Sequence, residues 1–275
     1  MKLLSISSLA SWIHCPRQFF VQSVLQIKEP INSAMALGLV KHKFHEFLGK
    51  NEERIVSSLS ASDSARQVLE SEYRSLLLQS VRMYVGMLRS VNVLPDDAMK
   101  SALPLVVAEA DSRASLIAPL LKENMTGDAL WQALEPKVKN EYSVESKSLG
   151  IKGRIDKLEC YNDRLVPIEL KSGKTPEQGV FEHHRIQAVS YALMLEDTFQ
   201  SSVPQAIVHY VDSNARRDVV VDIAARNWVV STVSAVRSCL ESKQVPIGCG
   251  KEYCSACKTC DDSRRVTLLL QRGKV

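Results

Sequence analysis

The sequence predicts a mixed α/β (α+β) fold, in which helices flank a small mixed sheet. Apolar residues recur at helical spacing through most of the first half of the chain. From about Lys139 onward the pattern changes to alternating and glycine-bracketed segments, which are typical of strands. Helical spacing returns after the third predicted strand and again after the fifth. This order of helices and strands predicts one sheet that is covered by helices.

Four helical segments are predicted before the strands begin. They span residues 5–14, 33–49, 63–92 and 98–122. A serine can cap the first helix, which is expected to stop at Cys15-Pro16. The third segment has the pattern of a long amphipathic helix, the fourth is weaker, and a polar loop at 124–127 follows.

Five strands and two helices are predicted in the second half. The strands span residues 139–147, 151–160, 164–171, 205–210 and 218–223, and the helices span 176–198 and 225–242. Turns at Asn162-Asp163 and at 212–214 join neighbouring strands. We divide the chain into N-terminal helices (1–49), a helical insertion (50–134), a core that carries the sheet (135–245) and a cysteine-rich C-terminal segment (246–275).

Composition and charge restrict the class of protein. Of the 275 residues, 45% are hydrophobic and 24% are charged, as is usual for globular proteins. A formal charge of +4 permits a nucleic-acid partner without requiring one. The sequence has no apolar run long enough to span a bilayer and no pattern of a signal peptide, so we expect a cytoplasmic protein without a membrane partner.

The cysteines are unevenly distributed. Four of the seven lie within twelve residues, at Cys249, Cys254, Cys257 and Cys260. Because thiols stay reduced in the cytoplasm, a cluster of this density indicates a bound metal rather than a disulfide framework. Cys160 and Cys239 fall in a predicted strand and a predicted helix, and we expect both in the core.

Asp156, Glu169 and Lys171 fall on two predicted strands that a tight turn makes neighbours. Glu169 and Lys171 are two residues apart and share a face of their strand, and Asp156 can lie opposite them. Carboxylates that hold Mg²⁺ or Mn²⁺ beside a lysine that stabilises developing charge suit phosphodiester cleavage. The alternative is a charged hairpin face with an ordinary surface ion pair.

Two further pairs of residues at helical spacing can join this group. His42 lies four residues after Gly38 and four before Glu46, and its imidazole can supply a metal ligand. Gln187 and Tyr191 are also four apart, and an amide and a phenol on one face can bind a phosphate or position the lysine. The alternatives are a solvated histidine, a surface glutamine and a core tyrosine. We expect solvated positions for three other histidines, His45, His183 and His184.

In type and order, four motifs resemble those of RecB-like nucleases in the PD-(D/E)XK superfamily. The motifs G-x-x-x-H, G-[RK]-x-D, E-x-K and Q-x-x-x-Y occupy residues 38–42, 153–156, 169–171 and 187–191. The resemblance implies a restriction-endonuclease-like core and the metal ligands His42, Asp156, Glu169 and the Leu170 carbonyl. It implies that Lys171 is the catalytic lysine, with Gln187 and Tyr191 in the same site. Ile155 stands where the family usually has a proline.

One branch of that family holds a [4Fe–4S] cluster between one N-terminal and three C-terminal cysteines. Cys15-Pro16-Arg17 and the later C-x-x-C pair resemble its two halves. The resemblance implies the ligands Cys15, Cys254, Cys257 and Cys260, and a structural role that joins the two ends of the chain. Cys260 follows sooner than the family pattern, and Cys249 is additional. The alternative is a local Zn²⁺ site made of Cys249, Cys254, Cys257 and Cys260.

The function implied by the resemblance is a metal-dependent DNA exonuclease that acts on single-stranded ends. The motifs and cysteines are similar to those of the CRISPR-associated RecB-like exonucleases and their phage or mobile-element homologues, with a role in CRISPR adaptation, antiviral defence or DNA repair. One alternative is a catalytically silent DNA-binding module, and another is a subunit that acts with adaptation proteins or a helicase. The sequence has no phosphate-binding loop of the G-x-x-x-x-G-K-[ST] type, so any unwinding needs another chain.

Overall fold

A mixed sheet forms the centre of the molecule. The computed structural model describes residues 2–27, 29–262 and 266–267, so that 263–265 and 268–275 of the predicted C-terminal segment lie outside the described residues. The strands are β1 Leu4–Ser5, β2 Lys137–Ser146, β3 Ile151–Cys160, β4 Leu165–Lys171, β5 Gln205–Tyr210 and β6 Ala215–Val220. The helices are α1 Ile6–His14, α2 Pro16–Ser23, α3 Ser33–Ser57, α4 Ala65–Met83, α5 Val85–Ser90, α6 Pro95–Lys122, α7 Gly127–Ala133, α8 Glu182–Phe199, α9 Ile223–Ser242 and α10 Ser255–Asp261.

The long strand β3 organises the sheet. β2 pairs with it in antiparallel register along its whole length. β1 pairs in parallel with its first residues and β4 in antiparallel register with its last ones, so β1 and β4 share the other edge of β3. β5 follows β4 in parallel through the crossover helix α8, and β6 completes a hairpin with β5. The predicted mixed sheet is therefore confirmed.

Two apolar clusters fill the space between the sheet and its helices. On one side, α3 to α7 pack together with alternate residues of β4, namely Val166, Ile168 and Leu170. On the other side, α1, α2, α8 and α9 pack with residues of β3 and β5. Because side chains alternate along a strand, Glu169 and Lys171 project away from the α3–α7 side. Helices covering both faces explain why β4 is almost entirely buried.

The predicted helices differ from the observed ones for local reasons. The first helix ends at His14, before Cys15-Pro16 as expected, but Pro16 then begins a second helix, α2, because proline fits the first helical turn, where its missing N–H is not needed. The predicted helix 63–92 is interrupted at Tyr84, which separates α4 from α5. α3 continues past Gly49 to Ser57, and α8 begins at Glu182 rather than at residue 176.

Some short elements were not predicted, and one strand begins earlier than expected. β1, α7 and α10 have two, seven and seven residues, which is too short for a clear period. β6 begins at Ala215 instead of residue 218, because the hairpin pairing continues to the turn. The division into four segments stays a prediction. Among the described helices, none has the length and apolar character that crossing a membrane requires.

Candidate active site

Asp156, Glu169 and Lys171 meet just beyond the paired stretch of β3 and β4. The backbone N–H of Leu170 donates to Asp156 Oδ2 at 2.8 Å, which fixes the carboxylate of β3 against β4. Lys171 Nζ lies 2.6 Å from Glu169 Oε1. Asp156 and Glu169 are only 9% and 3% exposed, so two carboxylates and one ammonium share a buried position. This is the arrangement that the strand pattern predicts.

His42 approaches the carboxylates from α3. Its Nδ1 lies 3.3 Å from Asp156 Oδ1, so both oxygens of Asp156 have a partner. The glycine one helical turn earlier, Gly38, lies against the end of β4, where a β carbon would be 3.1 Å from Ser172 Oγ. Glycine at this position therefore lets α3 come close enough for His42 to reach the site.

Gln187 and Tyr191 lie on the buried helix α8, and both line the groove next to Asp156. The Tyr191 hydroxyl donates to the Arg154 carbonyl at 3.0 Å. Gly153 packs under this contact, since a β carbon there would lie 2.9 Å from Tyr191 Cε1 and 2.8 Å from Ile6 Cγ1. Tyr191 thus holds the part of β3 that carries Asp156, and the glycine of the second motif makes the close packing possible.

Glu141 is a residue of the site that sequence reasoning missed. It lies on β2 with a φ of +54°. One of its carboxylate oxygens is 4.0 Å from His42 Nδ1, and the other is 2.6 Å from Arg154 Nε. One ligand atom from each of His42, Glu141 and Asp156 lies within 4.8 Å of the other two. The sequence carries no signal for this position, because the register of β2 against β3 is what brings Glu141 to Asp156.

Electrostatic coupling within the site opposes full ionisation of its carboxyls. Burial, together with the neighbouring Asp156, raises the pKa of Glu169 to about 7. Burial also opposes ionisation of Asp156, but the hydrogen bond and charge of His42, the Leu170 N–H and the charge of Lys171 together outweigh burial and lower the pKa of Asp156. Burial and Asp156 raise the pKa of Glu141. A buried group of carboxylates with too few cationic partners suits a hard divalent cation.

Four cysteine sulfurs converge at a second place, where the two ends of the described chain meet. Cys15 Sγ lies 3.8 Å from the sulfurs of both Cys254 and Cys257, and Cys249 Sγ lies 3.8 Å from that of Cys257. All four sulfurs lie within 4.8 Å of one another. A backbone hydrogen bond from Lys251 lowers the pKa of the Cys249 thiol to about 7, which favours the thiolate that a metal requires. The donor set fits an iron–sulfur cluster or zinc.

The observed group differs from the predicted ligands in its fourth member. Cys260 was expected in the group, but it is 7% exposed and lies in the apolar cluster with α1, α2 and α9. Cys249 occupies the fourth position instead. The chain just before Cys249 passes close to Cys257, since a β carbon on Gly248 would lie 2.7 Å from Cys257 Sγ. The alternative ligand set for a local Zn²⁺ site also differs from the observed group of sulfurs, because that set omits Cys15.

The other cysteines and the histidines have mixed outcomes. Cys239 is buried in the same apolar cluster, as expected, whereas Cys160 is only partly buried and packs against its edge. The prediction for His45 is wrong, because α3 places it in the interior, where it is 2% exposed, and burial lowers its pKa to about 4. His183 and His184 are also not freely solvated, because both are half-buried at the start of α8.

These two histidines belong to an aromatic group beside the site. The rings of Phe181 and His183 are stacked, with centroids 5.7 Å apart and planes at 23°. His14 contacts His183, and His184 contacts Tyr210. Tyr210 is the strand partner of Lys171 in the β4–β5 register. The group therefore extends from the lysine of the site toward Cys15, which follows His14 in the chain.

Comparison with known proteins gives one family and several relatives. The family model of the PD-(D/E)XK nuclease superfamily matches residues 3–261. The chain is 29% identical over 110 residues to a CRISPR-associated exonuclease Cas4/endonuclease Cas1 fusion of Myxococcus xanthus, which covers 38% of this chain and 19% of that protein. It is 24% identical over 117 residues to the CRISPR-associated exonuclease Cas4 of Thermoproteus tenax, covering 42% of this chain and 61% of that protein.

A third relative is matched over more of the chain. The DNA replication ATP-dependent helicase/nuclease JHS1 of Arabidopsis thaliana is 23% identical over 251 residues, which is 84% of this chain and 18% of that protein. The chain therefore spans less than two thirds of the length of each of these three relatives.

Proposed function

Because the chain belongs to the PD-(D/E)XK nuclease superfamily, we propose that it is a metal-dependent DNA exonuclease that hydrolyses phosphodiester bonds at single-stranded ends. The observation that carries the proposal is the buried meeting point of Asp156, Glu169 and Lys171, with His42 against it. Four neighbouring side chains of this kind on two strands and one helix have no evident structural purpose, since buried charges cost stability and cluster where a function requires them.

The proposed ligands of a divalent cation are His42, Asp156, Glu169 and the Leu170 carbonyl. A bound Mg²⁺ or Mn²⁺ would supply an activated water and would neutralise charge on the phosphate. Asp156 is already oriented for this role by its bonds to His42 and to the Leu170 N–H.

Lys171 and α8 provide the remaining chemistry. Burial opposes a charged amine, but the ion pair with Glu169 and the charge of Asp156 together outweigh burial and raise the pKa of Lys171, so the amine stays charged and stabilises the negative charge that develops on the phosphate. Tyr191 acts as a positioning residue through the Arg154 carbonyl. Gln187 lines the groove, where its amide can donate to a phosphate oxygen.

Two grooves meet at His42 and offer a path for the strand. One has a volume of about 820 Å³ and is lined by Asp156, Gln187 and Tyr191 among others. The second has a volume of about 600 Å³ and is lined by Leu170 and Lys171 among others. His42 borders both. A strand that enters one groove and leaves by the other would bring its phosphate to the carboxylates.

An aromatic group lies beside Lys171, which lines the second groove, and this group supports a preference for single-stranded DNA. Phe181 and His183 present stacked rings, and unpaired bases stack on such surfaces. Burial lowers the pKa of His183 to about 4, so at neutral pH the ring is uncharged and suited to stacking rather than to an ion pair.

We propose a [4Fe–4S] cluster held by Cys15, Cys249, Cys254 and Cys257. The cluster would tie α1 and α2 to the C-terminal segment, as Arg17 already does through Pro246 and Asp261. Four thiolates bind Zn²⁺ equally well in principle. An ordinary visible absorption spectrum separates the two, because Zn²⁺ with four thiolates is colourless.

The setting that we propose is cytoplasmic DNA processing with a partner. One relative unites an exonuclease with a Cas1 endonuclease, and another unites a nuclease with a helicase. Adaptation proteins of a CRISPR system or a helicase are therefore the proposed partners. The reducing cytoplasm would keep the cysteine thiols available for a cluster.

The proposal is tested with end-labelled linear single-stranded DNA and a closed single-stranded circle in Mg²⁺ or Mn²⁺. The expected result is metal-dependent degradation of the linear strand alone, absent in Glu169→Ala. Cutting of the circle would make the protein an endonuclease. Absence of cleavage by protein with a full complement of bound metal would contradict independent catalysis and favour a DNA-binding subunit that needs a partner.

A further inference from the structure

Glu141 has an unusual backbone conformation for its place in a strand. Its neighbours Asn140 and Tyr142 pair regularly with Lys157 and Ile155 of β3. Glu141 itself has a φ of +54°, in the left-handed region that glycine favours. A side chain with a β carbon is strained there, and such strain persists where the surroundings or a function hold it in place. The register places this strained residue directly opposite Asp156.

The contacts of Glu141 within the protein do not neutralise the negative charge of its carboxylate. Its side chain is 14% exposed, and its ionic partner Arg154 is 65% exposed. An ion pair with so exposed a partner contributes little to stability. The other oxygen lies 4.0 Å from His42 Nδ1, beyond hydrogen-bond distance. Two carboxylates therefore face the same imidazole, with Asp156 at hydrogen-bond distance and Glu141 beyond it.

We propose that Glu141 is a direct ligand of the divalent cation, which it shares with His42 and Asp156. One ligand atom of each lies within 4.8 Å of the other two, which suits a cation between them with bonds of about 2.0–2.6 Å to oxygen. The inference rests on the proposed function, and it adds a carboxylate from β2 to a site otherwise made by β3, β4 and α3.

A second observation at the same place is independent of Glu141. Glu169 is 3% exposed, and its Oε2 has no hydrogen-bond partner among the residues that the structure describes. An unpaired buried carboxylate oxygen is costly, and a bound cation removes that cost. Its charge acts on both Asp156 and His42, which places the unpaired oxygen in the same group.

The experiment measures binding of Mn²⁺ itself. Protein with its cysteine site loaded and the divalent site stripped is titrated with MnCl₂, and free Mn²⁺ is counted by its room-temperature electron paramagnetic resonance signal. The variants are Glu141→Gln, Glu145→Gln and Asp156→Asn. Glu145 is the matched control, because it is an exposed carboxylate on the same strand that lines the same groove.

Glu141→Gln is expected to weaken Mn²⁺ binding by about 10-fold or more, since even outer ligands change metal affinity by that factor. Glu145→Gln should bind as the wild type does. Equal weakening by both variants would reduce the role of Glu141 to general electrostatics and would overturn the inference. If Glu141→Gln binds Mn²⁺ as the wild type does while Asp156→Asn does not bind it, the inference about Glu141 is overturned and the proposed metal site stands. Full binding by Asp156→Asn would contradict the proposed metal site as well.

A second variant guards against an effect through folding. Glu141→Gly removes the carboxylate and also the strain of the left-handed backbone. We expect its metal-free melting temperature to equal or exceed that of the wild type, while the rise in melting temperature that Mn²⁺ gives to the wild type is lost. A variant that melts lower and is still stabilised fully by Mn²⁺ would show that Glu141 is a structural residue.

Discussion

Replacing Cys249 or Cys260 by alanine distinguishes the observed group of four sulfurs from the ligand set that the family resemblance implies. Cys249→Ala removes one of the four converging thiols. Cys260→Ala removes a buried sulfur from the apolar cluster beside them. We therefore expect loss of the metal in the first variant and full metal content in the second, although the two cysteines lie only eleven residues apart.

The size of the two effects follows from their positions. A link between Cys15 and Cys249 closes a loop of 234 residues, the difference between the two numbers. Treated like a disulfide across the same loop, that link stabilises the fold by up to about 5 kcal/mol. Loss of the buried sulfur of Cys260 costs about 1 kcal/mol, the value for one buried methylene-sized group.

The assay combines metal analysis with urea denaturation. Iron, zinc and acid-labile sulfide are counted per chain for the wild type, both variants and Cys15→Ala. Metal loss in Cys15→Ala and Cys249→Ala, with a large fall in unfolding free energy, is the expected pattern. The reasoning is refuted if Cys260→Ala loses the metal while Cys249→Ala keeps it. Retention in Cys15→Ala would instead identify a local site in the C-terminal segment.

Three further predictions concern packing, protonation and strand binding. Gly153→Ala should lower the unfolding free energy by about 1–3 kcal/mol in urea, since its β carbon would lie 2.8 and 2.9 Å from two side chains, whereas Gly86→Ala, with open space around it, should not. As the pH rises from about 4.5 to about 7, the unfolding free energy of the metal-free wild type should fall by up to about 3 kcal/mol relative to that of Glu169→Gln. The reason is that the raised pKa of Glu169, about 7 in the folded protein, keeps a proton bound that the unfolded chain releases. A difference that stays constant over this range would contradict the pKa. Phe181→Ala should weaken binding of a single strand by about 1–3 kcal/mol and leave binding of an abasic strand unchanged. Phe199→Ala, at an exposed phenylalanine, is the control. Equal losses of affinity for the normal and the abasic strand would exclude stacking.

Much of the site could be predicted because its residues carry local patterns. Glu169 and Lys171 share a strand face by simple alternation, and the short connection to β3 brings Asp156 beside them. The structure gives the two motif glycines a packing role, because Gly38 and Gly153 both lie at close approaches. The mixed sheet followed from the order of strand and helix patterns.

The remaining features depend on packing between distant segments. Glu141 reaches the site only through the register of β2, and its left-handed backbone has no sequence signature in a glutamate. The choice between Cys249 and Cys260 depends on how the C-terminal segment packs against Cys15, and the chain before Cys249 passes close to Cys257 at Gly248. His45 was expected in solvent, as a lone helical histidine usually is, but α3 directs it into the interior, where it is 2% exposed.

The central claim is tested most directly by comparing two lysines three residues apart. Lys171→Ala and the exposed Lys174→Ala are assayed for cleavage of linear single-stranded DNA at saturating Mn²⁺, with bound metal and melting temperature measured in parallel. The account predicts a loss of rate of about 100-fold or more for Lys171→Ala, with metal content retained, and nearly wild-type cleavage by Lys174→Ala. Equal cleavage by Lys171→Ala and the wild type would contradict the assignment of the active site to β3 and β4.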